Sequence, residues 1–171
     1  MKVKIKNLKL PKDIWTAEDT MMLALDTVAA VKLRTSKGIS SRGKSFKKYS
    51  TKPIYVAFKG ARLKPKGGRL SRTKKSVFYK KGYRQYKQES RQRSRSGEGS
   101  SAEVDLVLSG QLMNNLQVLE ADRNSFKIGL TKQVRSYGYY VNEKRKFIGL
   151  TKDDIKNLTE AVAFNIAEKL K

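Results

Sequence analysis

Apolar and polar residues alternate most regularly over residues 112–131, and this alternation predicts a β-hairpin. Two alternating sets flank a polar break at residues 122–125: Leu116, Val118 and Glu120 precede it, and Phe126, Ile128 and Leu130 follow it. Successive side chains of a strand point to opposite faces, so the pattern buries one face of each strand and leaves the other in water. Other segments must then cover the buried face of the hairpin.

Two further stretches have the spacing of α-helices, one near each end of the sequence. Thr16 with Asp19, and Thr151 with Asp154, form capping-box patterns in which a hydroxyl and an acid satisfy the exposed amides of a first turn. Gly38 predicts the end of the first helix, which spans about five turns. Apolar residues recur at helical spacing after both caps and are predicted to face the core: Met21, Met22, Leu25, Val28, Ala29 and Leu33 in the first helix, and Ile155, Leu158, Val162, Ile166 and Leu170 in the second.

Four shorter segments complete the pattern. The apolar run 54–58 lies between Pro53 and Gly60 and predicts a strand, and the alternating run 104–108 predicts another. Residues 1–10 alternate lysines with apolar residues and indicate an edge strand or an arm. The aromatic cluster at residues 137–141 is short enough to be either a helical turn or a strand.

Charge separates the sequence into two parts. The 171 residues carry a formal net charge of +24, which favours a polyanionic partner: nucleic acid, an anionic membrane surface or an acidic protein. Residues 59–95 contain 15 basic side chains and 1 acid, whereas residues 96–171 contain 11 basic side chains and 10 acids. The basic surface is therefore predicted to be distinct from the near-neutral core.

These observations predict an α+β fold in a single domain over residues 1–171. A small antiparallel sheet packs against an N-terminal and a C-terminal helix, and residues 59–101 form a long basic arm or loop inserted in the middle. Within it, residues 76–86 interleave aromatic with basic side chains, as single-stranded nucleic acid binding requires, although packing in the core or an interface is favoured. Contact with nucleic acid is assigned to Arg62, Lys64, Lys66, Arg69, Arg72, Lys74, Lys75, Lys80, Lys81, Arg84, Arg91, Arg93 and Arg95.

The residue types exclude most catalytic chemistries. Without Cys or His there is no disulfide, no thiolate metal site and no Ser-His-Asp arrangement. Gly38–Ser45 matches the phosphate-loop pattern, but a predicted helix enters this stretch where that motif needs a strand, and residues 46–53 have no helical pattern. We therefore expect no enzymatic activity, no cofactor, no metal and no small-molecule substrate.

The longest apolar run, Met21–Leu25, is also far too short to cross a membrane, so we expect a soluble protein of intracellular origin with no membrane partner.

Four short segments, taken in order, resemble a known family. They are FKKYS at 46–50, GYRQY at 82–86, VDLVLSGQLM at 104–113 and RKFIGLT at 145–151. Their order and spacing over roughly residues 17–171 resemble the head–tail joining, or tail-completion, proteins of tailed bacteriophages. The resemblance implies a structural virion protein, assembled in the host cytoplasm, that forms a homo-oligomeric ring in the neck. Its implied neighbours are the portal or adaptor and the tail-terminator or tail proteins. Packaged DNA would pass through the lumen, and the basic residues given above would contact it without sequence preference or would contact a neighbouring subunit.

Two other functions remain open at this stage. The charge and the interleaved tyrosines and arginines are also typical of a ribosomal-type basic protein that binds RNA or DNA without sequence specificity. A phosphate-loop nucleotidase depends on Gly43, Lys44 and Ser45 alone and is disfavoured.

Overall fold

A computed structural model describes residues 2–4, 14–57, 67–90, 104, 106 and 111–170. The chain forms two compact units: Met1–Phe46 with Gly110–Lys171, and Lys47–Ser109. In the described residues, the first unit combines four helices with a three-stranded antiparallel sheet, and the second combines one helix with another such sheet, which confirms the predicted α+β class. The elements are β1 (Lys2–Lys4), α1 (Ala17–Ser36), β2 (Ile54–Ala57), β3 (Arg69–Leu70), β4 (Ser76–Tyr79), α2 (Gly82–Ser90), α3 (Gln111–Asn114), β5 (Leu116–Asp122), β6 (Ser125–Leu130), α4 (Arg135–Lys144) and α5 (Lys152–Lys169).

The sheet of the first unit has the order β1-β6-β5, so the predicted hairpin and edge strand are both confirmed for the described residues. The Asp122 carboxylate closes the hairpin turn by accepting hydrogen bonds from the backbone amides of Asn124 (2.9 Å) and Ser125 (2.8 Å). A register shift between Val118 and Glu120 breaks the alternation of β5. In β6 the alternation is intact, and its three apolar side chains are buried as predicted.

Helix α1 begins and ends as the sequence predicts but buries a different face. The capping box between Thr16 and Asp19 is present. The predicted core stripe is wrong: of its members only Val28 is buried, whereas Met22 and Leu33 are exposed. The buried face consists mainly of small or β-branched side chains, which let the helix approach the sheet closely. Its members are Thr20, Ala24, Thr27, Val28, Val31, Arg34 and Thr35.

Helix α5 also has the predicted capping box, formed by Thr151 and Asp154, and it packs against α1. Each capping-box acid binds a cation at the far end of the other helix. Asp154 pairs with the buried Arg34, and Asp19 accepts from Lys169 Nζ at 2.6 Å. The two helices are therefore antiparallel, with an ion pair at each end.

The environment of Asp19 changes its acidity. Partial burial raises the pKa of its carboxyl group, but the hydrogen bonds from Lys169 and Thr16 and the positive charge of Lys169 outweigh this effect. The pKa of Asp19 therefore lies below its ordinary value. The resulting stabilisation is complete above the pKa of an unfolded Asp, about 3.9, and is lost as the pH falls through the lowered folded pKa.

The predictions for the core face of α5, the aromatic cluster at 137–141 and the strand at 104–108 have different outcomes. No residue of α5 is fully buried, and its predicted core residues Ile155 and Leu170 are exposed. The aromatic cluster at 137–141 lies in a helix, α4. Val104 and Leu106 are not in a strand, and the other residues of the predicted strand 104–108 lie outside the described residues.

The extended arm predicted over residues 59–101 is not confirmed. Residues 69–90 form β3, β4 and α2 of the second unit, while residues 59–66 and 91–101 lie outside the described residues. Order arises here because Val77 and Tyr79 alternate with less buried neighbours and are fully buried, which gives the segment a core of its own. The strand predicted at 54–58 is confirmed as β2 for residues 54–57.

Candidate nucleic-acid interface

Seven of the thirteen predicted contact residues belong to the described part of the second unit, and all seven are exposed. They are Arg69, Arg72, Lys74, Lys75, Lys80, Lys81 and Arg84. The other six, Arg62, Lys64, Lys66, Arg91, Arg93 and Arg95, lie outside the described residues. Within the described residues none of the seven forms an ion pair, so their charges are available to a polyanion.

The first basic cluster is the turn between β3 and β4. The Ser71 amide donates to the Ser76 carbonyl at 2.9 Å, and the Lys74 amide donates to the Ser71 carbonyl at 3.0 Å. These bonds close a tight turn that places Arg72, Lys74 and Lys75 at its exposed tip. Such a turn can bind phosphate through long, flexible cationic side chains, without reading sequence.

The second cluster lies where β4 meets α2. Lys80, Lys81 and Arg84 line a shallow groove of about 570 Å³ together with polar side chains of α2. Glu89 also lines it and accepts a hydrogen bond from Gln85 at 3.0 Å. The groove therefore contains three cations and one acid, which leaves a net positive charge at this end of β4.

One face of the second unit's sheet is its core. Tyr79 is fully buried and packs edge-on against Tyr86, with ring centroids 5.3 Å apart, and Tyr86 packs against Tyr83 at 5.7 Å. Lys87 is only 1% exposed, and its Nζ lies 4.8 Å from the centroid of the Tyr49 ring. Tyr79 thus lies in the core, and the half-buried Tyr83 and Tyr86 pack in the same cluster of rings, so the favoured interpretation of residues 76–86 is confirmed for these three tyrosines.

The opposite face of this sheet carries an aromatic pair and an arginine in one row. Tyr55 of β2 pairs in register with Phe78 of β4, which pairs on its other side with Arg69 of β3. Tyr55 is 68% exposed, and its ring centroid lies 4.9 Å from that of Phe78. The sequence did not single out Tyr55. Its only signal is its place in the run Ile54–Ala57, where it alternates with two apolar residues that are less exposed.

The stretch Gly38–Ser45 lacks the setting of a phosphate-binding loop. Helix α1 precedes it, Ile39 and Ser45 form an isolated antiparallel bridge, and the described residues 46–53 form no helix. The Ser40 hydroxyl donates to the Lys44 carbonyl at 2.7 Å, which stabilises a closed surface turn. The interpretation of this stretch as a connection is thus favoured by its structure.

Other site types are absent from the part of the chain that the structure describes. It contains no group of acidic side chains that could hold a metal ion, and none of its helices has the length and apolar character needed to cross a bilayer. Comparison of the whole chain with protein-family models, curated proteins and solved structures finds no match.

Proposed function

We propose that this chain is a non-enzymatic structural subunit of a tailed-phage neck. Copies would form a ring that joins the portal or adaptor to the tail-terminator or tail proteins around the DNA channel. The first unit would form the contacts between copies, and the basic residues of the second unit would contact DNA phosphates. The phage context rests on the sequence resemblance, and the physical argument for self-association rests on α5.

Helix α5 carries the proposal because 8 of its 18 residues are apolar, yet it buries no residue completely. The side chain of Phe164, in the middle of the C-terminal half of α5, is 65% exposed. Val162 faces away from Phe164, since a separation of two residues turns a helix by about 200°. Helices in proteins are stabilised mainly by packing an apolar face, and monomers rarely expose large contiguous apolar patches. A second copy that covers the outer face of α5 would supply the missing packing.

A closed ring needs two different, complementary surfaces on each subunit, because its contacts are head to tail. The first unit has two candidates. One is the α1–α5 pair, where Met22, Leu33 and Phe164 are exposed. The other is α4, where Tyr137, Tyr139 and Tyr140 are exposed, and aromatic side chains of this kind are enriched at protein interfaces. We infer that α1–α5 of one copy packs near α4 of the next.

Replacing Phe164 by glutamate is expected to dissociate the oligomer. A central aromatic anchor typically contributes about 2 kcal/mol or more to an interface, so the dissociation constant should rise by about 30-fold or more. Native mass spectrometry across a concentration series measures this change, and negative-stain microscopy shows whether the wild-type oligomers are rings.

Thr159→Glu is the matched control for this experiment. Thr159 is also exposed on α5, but it lies about 140° around the helix from Phe164. This variant should keep the wild-type mass distribution. A wild-type chain that stays monomeric at every concentration, alone and with portal-side and tail-side partners, would remove the ring from the proposal.

Neutralising the basic turn is expected to lower the affinity for duplex DNA and to make that affinity less dependent on salt concentration. Each phosphate contact contributes about 0.9 to the slope of log K against log salt concentration, so Arg72→Gln, Lys74→Gln and Lys75→Gln together should lower the slope by nearly 3. Fluorescence anisotropy across a salt series measures this slope.

A second triple variant separates local contact from net charge. Lys132→Gln, Lys146→Gln and Lys152→Gln remove the same charge from exposed positions of the first unit. Its slope should remain near the wild-type value. Equal slopes for both triple variants would show that the turn makes no specific contact with phosphate.

A further inference from the structure

We propose that the outer face of the second unit's sheet is a stacking platform for unpaired bases, so that this unit binds single-stranded as well as duplex nucleic acid. The platform consists of Tyr55, Phe78 and Arg69. The inference rests on the proposed contact between the second unit and DNA, and it extends that contact from phosphates to bases.

The register of the sheet carries the inference. Residues paired directly across antiparallel strands project from the same face, so all three side chains lie side by side on the outer surface. Tyr55 and Phe78 present ring faces inclined at 41°, and Tyr55 is 68% exposed. An exposed tyrosine beside a half-buried phenylalanine and an exposed arginine combines the kinds of group, aromatic rings and a guanidinium, on which single-stranded nucleic acids stack.

The charge around the platform fits a strand that runs along β4. Lys75 precedes β4 and Lys80 follows it, and both are exposed. These positions are five residues apart, a span of roughly 17 Å in an extended strand. Phosphates can therefore contact the basic turn at one end and the basic groove at the other, while the bases between them cover Tyr55 and Phe78.

Tyr55→Ala tests the platform because it removes a ring without removing charge. Binding is measured by fluorescence anisotropy with an oligo(dT) of about 12 nucleotides, a length within the site sizes of known single-strand binders, and with a blunt duplex of equal length. Loss of one stacked base is expected to weaken single-strand binding by roughly tenfold to a hundredfold and to leave duplex binding unchanged.

Two control variants define the specificity of the effect. Tyr55→Phe keeps the ring and should bind both probes like the wild type. Gln117→Ala removes an exposed, uncharged side chain from β5 of the first unit, outside the surfaces assigned above to contacts between copies, and it should also leave both affinities unchanged. An oligo(U) of the same length should lose affinity in parallel with oligo(dT), because a ring face does not read the 2′-hydroxyl.

The outcomes distinguish this inference from the proposed function. Two outcomes would overturn the platform without affecting the proposed contact with DNA phosphates. In one, the wild type binds the duplex but not oligo(dT). In the other, Tyr55→Ala loses the same affinity for both probes. Wild-type binding to neither probe at low salt would overturn both proposals. Oligo(U) bound more than about tenfold tighter than oligo(dT) would contradict a platform that does not read the 2′-hydroxyl, and it would overturn the assignment of this face to single-stranded DNA.

Discussion

Replacing Arg34 by methionine is expected to lower the free energy of unfolding of the first unit by about 3–5 kcal/mol, the usual result of removing one partner of a buried ion pair. Arg34 is 7% exposed and pairs with Asp154. Its guanidinium also donates to the carbonyl oxygens of Phe147 and Gly149, both at 2.8 Å. Methionine fills a similar volume but donates no hydrogen bond, so it leaves a partly buried carboxylate and two carbonyls without this donor.

The chain contains an internal probe for this measurement. Trp15 is the only tryptophan, belongs to the first unit and is 4% exposed, so its fluorescence in a urea titration reports unfolding of that unit. Arg34→Lys should fall between wild type and Arg34→Met, since an ammonium keeps the charge but not the planar fork. Arg42→Met, at an exposed position, should change stability by less than about 0.5 kcal/mol.

The double variant Arg34→Met with Asp154→Asn tests the physical reason. If the loss arises from an uncompensated carboxylate, Asp154→Asn should recover part of it, and the two effects should not add. Additive effects would contradict the argument. So would an unchanged urea midpoint for Arg34→Met.

The sequence predicted the elements whose signals are local. The hairpin needs only alternation and a polar turn, and both long helices begin at Thr-Asp capping boxes that act within four residues. The buried face of α1 was predicted wrongly, because a search for helical periodicity assigns large apolar residues such as Met22 and Leu33 to the core. The actual face packs Ala24 and Thr27 closely, and the larger side chains stay outside. An exposed apolar stripe and a buried one have the same period, so the pattern alone does not tell a core from an interface between copies.

The candidate interface was predicted by composition but not by geometry. The exposure of the basic residues could be predicted from the density of charge along the sequence, because that density does not depend on how the chain folds. The row formed by Tyr55, Phe78 and Arg69 depends on pairing between β2, β4 and β3, and β2 lies about 20 residues before β4 in the sequence. The register between strands so far apart in the sequence is set by tertiary packing, so it cannot be predicted from a single sequence. Arg34 was missed for a related reason, since an arginine in a last helical turn usually faces solvent.

Replacing Gly82 by alanine is expected to destabilise the second unit by about 3 kcal/mol or more. Gly82 begins α2 with a φ of +67°, a conformation that costs an L-residue about 1–2 kcal/mol. A Cβ there would also lie 2.6 Å from the Ser50 carbonyl oxygen and closer still to that of Lys52. Both atoms are backbone, so the clash is relieved only if the chain leading to β2 moves. Amide hydrogen exchange at Val77 and Tyr79, in the buried strand beside α2, measures the loss of protection.

Gly43→Ala separates the two contributions to that loss. Gly43 has a similar φ of +74°, but a Cβ there would meet no atom within 4 Å. It should therefore cost only the conformational penalty of about 1–2 kcal/mol, measured by Trp15 fluorescence because Gly43 belongs to the first unit. If Gly82→Ala costs no more than Gly43→Ala, the close approach of α2 to residues 50–52 does not hold. If it costs clearly more, the excess measures that steric contact, which positions Lys80, Lys81 and Arg84 at the end of β4.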